Sequence, residues 1–113
     1  MKHLKQYESV IKTDFENLQF GDTIIAYRSI LSADKLTQSS ITKTIGNDEF
    51  ILDVGKIQSI NYQPDKERQI YYGTKFSEGY FYILPKYIIF ASDRTKDAID
   101  QIKIIISANK YNL

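Results

Sequence analysis

The sequence predicts a single α+β domain over residues 1–113: an N-terminal helix, about six to seven antiparallel strands, and a C-terminal helix packed on the sheet. Three observations carry this reading. Apolar residues recur at helical spacing near both ends of the chain. Between them, from 22 to 91, the texture changes to short β-branched and aromatic runs. The links between those runs are short, whereas a parallel crossover needs a dozen residues or more.

Over residues 2–19, Leu4, Tyr7, Ile11, Phe15 and Leu18 fall on one stripe at three- and four-residue steps, with Lys5, Glu8, Lys12 and Glu16 outside it. Gly21 suits the left-handed position that ends many helices. Strands are expected at 22–31, 35–45, 49–54, 56–62, 68–73 and 79–90, separated by SAD, GND, Gly55, QPDKE and GTKFSEG. The segment 35–45 is the most polar of these and reads as an edge or an exposed hairpin arm. The stretch GYFYILPKYIIF is the most apolar. As one strand, residues 79–91 would reach roughly 43 Å, long for so small a domain. Pro85 cannot donate to a ladder, so a bend or break is expected there. A second helix is predicted over 93–109, with Ser92 or Asp93 capping it and Ala98, Ile99, Ile102, Ile105 and Ile106 forming its apolar face.

Composition narrows the chemistry. The chain has no cysteine, which excludes disulfides, thiolate catalysis and cysteine-based zinc sites. His3 is the single histidine and stands near the terminus, so neither a transition-metal site nor histidine-activated catalysis has its parts. Ser39 and Ser40 lack a nucleophile elbow. The carboxylates of Asp48, Glu49 and Asp53 read as turn chemistry, and those of Asp97 and Asp100 as a solvated helix face. Phosphate-cradling glycine loops are missing too. The expectation is a chain that is not an enzyme, with no cofactor and no metal. No apolar run approaches the roughly 20 residues of a membrane-spanning helix, and the start lacks a signal-peptide pattern, so the cytoplasm is the expected compartment. A formal net charge of +1 gives no bulk attraction to nucleic acid, which argues against that class of partner.

At residues 49–62, EFILDVGKIQSINY resembles the stretch of bacterial PH-like and GRAM-like domains in which a strand is followed by a lysine-isoleucine-serine-isoleucine type segment, here Lys56, Ile57, Gln58, Ser59 and Ile60. The resemblance covers about residues 22–109. It implies a PH-like barrel or strongly bent sheet of seven strands, closed by the C-terminal helix. The basic first hairpin of phosphoinositide-binding members has only Arg28, Lys35 and Lys43 spread out here, so lipid-headgroup binding does not follow.

What remains is a concentration of aromatic and basic residues between 66 and 87. Tyrosine is favoured in protein interfaces, where a large ring is fixed at low entropic cost. The expected function is a non-enzymatic protein-binding module using a tyrosine-rich sheet face, with Tyr71, Tyr72, Lys75, Phe76, Tyr80 and Tyr82 as the partner-binding residues. The partner is another protein, with a second copy of the chain left open. A dedicated inhibitor, such as a toxin-immunity protein or phage anti-defence factor, is the alternative. A small-molecule pocket between sheet and C-terminal helix is a further one.

Overall fold

The β-branched and aromatic runs do pair, and the computed structural model of the chain, which describes residues 10–63 and 69–111, shows how. The elements are β1 (Ile11–Lys12), β2 (Thr23–Ser29), β3 (Thr42–Ile45), β4 (Asp48–Gln63), β5 (Gln69–Phe76), β6 (Gly79–Ile83), a 3-10 turn at Pro85–Tyr87, β7 (Ile88–Ser92) and α1 (Thr95–Tyr111). All pairings are antiparallel, in one seven-stranded sheet of order β1-β7-β2-β4-β5-β6 with β3 on β4. Among the described residues, six strands lie between 22 and 92, and the seventh is β1.

The expected N-terminal helix is not there. Its first part, residues 2–9, lies outside the described residues, and 10–19 run as strand and turn. An isolated helix of this length is marginal in water, so tertiary partners decide. Here they pull the segment apart. Val10 and β1 are tied to β7, with the Val10 amide donating to Asp93 Oδ1 at 3.0 Å. The Leu18 amide, which a helix would use internally, donates instead to the Tyr72 hydroxyl at 3.2 Å, and that hydroxyl donates to the Phe15 carbonyl at 2.7 Å. Phe15 and Leu18 still reach the core, but from a turn. Gly21 does take a positive φ of 90°, at the end of that turn.

Further boundaries differ. The strand expected at 68–73 runs on as β5 to Phe76, through the first part of the expected link GTKFSEG. The runs 49–54 and 56–62 join into the 16-residue β4, whose first half pairs with β2 and second half with β5. Gly55 sits at the changeover because the Phe76 ring and Thr74 methyl pack on its α-carbon, where a Cβ would be 2.7 Å from both. The expected strand 35–45 shortens to β3, since Thr37 and Ser40 close a turn on each other. At Pro85 the apolar stretch divides: β6 is an edge strand, while β7 inserts between β1 and β2.

Alternation along the strands separates two faces. On the inner face Ile24, Ala26, Ile57, Tyr72, Phe76, Ile83, Ile88 and Ala91 form the main core, where β2 and β6 touch although they are not neighbours in the sheet. On the outer face Ile25 and Leu52 are covered by Ala98, Ile102 and Ile105 of α1. Ser92 stands just before that helix, its hydroxyl accepting from the Arg94 amide, one residue ahead of Thr95, at 3.1 Å and donating to Asp97 of the first turn at 2.6 Å. The helix covers β7, β2 and the first half of β4, so the outer face of the second half of β4, β5 and β6 is left uncovered by it.

Candidate functional site on the outer sheet face

Register fixes what stands on that uncovered face. Lys56 lies opposite Lys75, and Lys75 opposite Tyr80; in the next row Ser59 lies opposite Gly73, and Gly73 opposite Tyr82; Asn61 and Tyr71 follow. A register shift between Ile57 and Ser59 turns Ser59 and Asn61 outward. Gly73 then shapes the centre. With no side chain there, the Tyr80 ring crosses the strand and its hydroxyl meets Ser59 Oγ at 2.8 Å. Asn61 Nδ2 donates to the same Ser59 Oγ at 3.0 Å. Tyr82 packs edge-on against both neighbours, with ring centroids 5.7 Å from Tyr80 and 5.3 Å from Tyr71. Edge-to-face geometry at these distances is favourable beyond simple burial. The result is a tyrosine cluster held in place from below, with Tyr82 still 65% exposed.

Of the six residues expected to bind a partner, the structure brings together Tyr71, Lys75, Tyr80 and Tyr82 on this face. Tyr72 and Phe76 are elsewhere: both are about 1% exposed and belong to the inner core, because period-two alternation places them opposite Tyr71 and Lys75. Burial pushes the Tyr72 phenol above its ordinary value, with its contact to the Leu18 amide opposing. Lys56, Ser59, Asn61 and Gly73 join the face without having been expected as partner-binding residues. A glycine inside a run of strand formers, as in YYGTK, is the one signal in the sequence that marks a close approach at 73.

The strongest charge cluster lies on the inner side. Arg28, 2% exposed by its side chain, donates Nε to Asp53 at 2.8 Å, and Nη1 and Nη2 to the two oxygens of Asp34 at 2.9 and 2.7 Å. Its guanidinium also stacks on Phe81 at 5.1 Å. The fork from Arg28, then the Leu31 amide, hold the Asp34 carboxyl down at about 2, and the bond to Asp34 raises Arg28 in turn. A cleft of about 510 Å³ opens beside it, lined by Lys35, Ser77 and Glu78 among others. Among the described residues no buried side-chain nitrogen or oxygen lacks a partner, and this network braces the 30–34 loop, where the Leu31 amide also donates to Asp34. A smaller cleft of about 260 Å³ separates Thr37, Ser39 and Ser40 from Ile102 and Ile106; Tyr71 and Tyr82 do not line it. Among the described residues no group of three His, Cys, Asp or Glu side chains could hold a metal ion, and no helix is long and apolar enough to cross a membrane.

Compared with protein-family models, curated proteins and solved structures, the chain matches none of them.

Proposed function

We infer that the chain is a protein-binding module that catalyses no reaction, and that its outer β4–β5–β6 face meets an acidic surface on another protein. The observation that carries this reading is the packed, exposed tyrosine cluster standing beside the Lys56–Lys75 pair. Like charges directly opposite each other on a sheet are mildly destabilising. Among the described residues no acidic side chain forms an ion pair with either lysine. A partner's carboxylates would relieve that repulsion, while Tyr71, Tyr80 and Tyr82 would supply rings already fixed against one another. Side chains that lose little freedom on binding are those that dominate interfaces.

The test is capture of partners from lysate on immobilised chain. Proteins retained through this face are lost with Tyr82→Ala and with Lys75→Glu, by roughly tenfold each for a contact of 1–2 kcal/mol. They remain with Lys103→Glu on the exposed side of α1. Equal retention by all four chains removes the reading.

A further inference from the structure

Among the described residues the sheet ends at β6, which pairs with β5 along its length in unbroken register and has no strand on its other side. A free edge carries a row of unpaired N–H and C=O groups. Proteins usually blunt such edges with a lysine, a proline, a bulge or a very short strand. Two other edges of this sheet follow the rule: β1 has two residues and includes Lys12, and β3 carries Lys43 between exposed threonines. β6 does not. Gly79–Ile83 contains no charge, no proline and no register shift.

Its sequence is also self-complementary. Tyr80, Phe81 and Tyr82 read the same in both directions about Phe81. An isologous contact requires that residue i meet j while j meets i. Antiparallel pairing of two β6 strands about an axis through Phe81 meets that requirement, setting Tyr80 of each copy opposite Tyr82 of the other. The Tyr80 ring lies over β5, away from this edge, so the pairing rests on the unpaired backbone groups of two strands on which no like charges meet.

We propose that β6 is a self-association edge through which two copies of the chain pair into one continuous sheet. The pairing forms about four to six backbone hydrogen bonds, depending on which β6 residues point outward. So short an edge covers less than the ~1,200 Å² of a standard interface, so the dimer is weak and concentration-dependent. Because the two-fold axis is normal to the sheet, both outer faces stay on the same side. Tyr71, Tyr80 and Tyr82 of the two copies then form one band, flanked on each side by a Lys56–Lys75 pair. Dimerisation enlarges the face described above without covering it, and it requires no other partner.

Sedimentation of the purified chain alone, from roughly 10 μM to 1 mM, reads the association directly. Wild type is expected to pass from monomer to dimer across that range. The double variants Tyr80→Lys/Tyr82→Lys and Tyr80→Glu/Tyr82→Glu, both checked for native far-ultraviolet circular dichroism, should each dimerise at least about tenfold more weakly. An equal mixture of the two should restore a dimer. Amide exchange at residues 79–83 of the wild type should slow as concentration rises. A wild type that stays monomeric, variants that self-associate as wild type does, a mixture that fails to dimerise, or exchange independent of concentration would each overturn the proposal.

Discussion

Replacing Gly73 by alanine tests the geometry of the tyrosine cluster with a single methyl. The added Cβ would lie 2.0 Å from the Tyr80 hydroxyl oxygen and 2.2 Å from Ser59 Oγ, so the methyl and the Tyr80–Ser59 contact cannot coexist. Both obstructing atoms are ends of rotatable side chains on the outer face, and they can swing away. The loss is one partly solvated hydrogen bond, about 0.5–1.5 kcal/mol, and part of the Tyr80–Tyr82 ring contact, about 0.5–1 kcal/mol. Against these, alanine in place of a strand glycine returns roughly 0.5–1 kcal/mol of backbone entropy. The net destabilisation is about 0–2 kcal/mol, a melting shift of at most roughly 10 °C for a domain of this size. The tyrosine signal in near-ultraviolet circular dichroism should change, and partner capture should weaken while the fold holds. A loss above about 3 kcal/mol would mean that the backbone moved instead of Tyr80. An unchanged tyrosine signal would mean that Tyr80 does not cross the strand at Gly73.

Gly55→Ala makes the opposite case, because its Cβ would meet the buried Phe76 ring at 2.7 Å; chemical denaturation should show about 1–3 kcal/mol of overpacking cost. Tyr72→Phe removes the hydroxyl shared by Phe15 and Leu18, and should lower stability by about 1–3 kcal/mol while accelerating amide exchange at Leu18. Arg28→Met leaves Asp34 and Asp53 without their shared cation, and should cost about 3 kcal/mol or more at neutral pH. In wild type the Asp34 carboxyl titrates near 2 when folded, below its ordinary 3.8. Its contribution, about 1–2 kcal/mol after allowing for solvent, is therefore full above pH 4 and disappears as pH falls through 4 to 2. Acid titration of Asp34→Asn should lack that step.

The strand pattern was largely legible because β-branched and aromatic runs with short links leave little besides antiparallel pairing. The C-terminal helix was legible for the same kind of reason: Ala98, Ile102 and Ile105 share a face, and they do pack on the sheet. The N-terminal segment misled because Phe15 and Leu18 have helical spacing and are truly needed by the core, yet the hydroxyl that holds them belongs to Tyr72, more than fifty residues away. Spacing along a chain cannot report a partner that distant. The candidate face was half legible. Composition located the aromatic cluster, but which tyrosines face outward depends on strand register, and a one-residue change exchanges the faces. Tyr71 and Tyr72 are neighbours on one strand and therefore stand on opposite faces. Ser59 and Asn61 turn outward only because the β4–β5 register shifts beyond Ile57, which the sequence does not announce.

The most direct measurement of the central claim is photocrosslinking from single positions in lysate. A benzophenone side chain replaces Tyr82 on the tyrosine face, and in a second chain it replaces Ile104, which is 61% exposed on α1. The account predicts a discrete adduct from position 82 that disappears when Lys75→Glu is added, with no such adduct from position 104. The same adducts from both positions, or none from position 82, would contradict it.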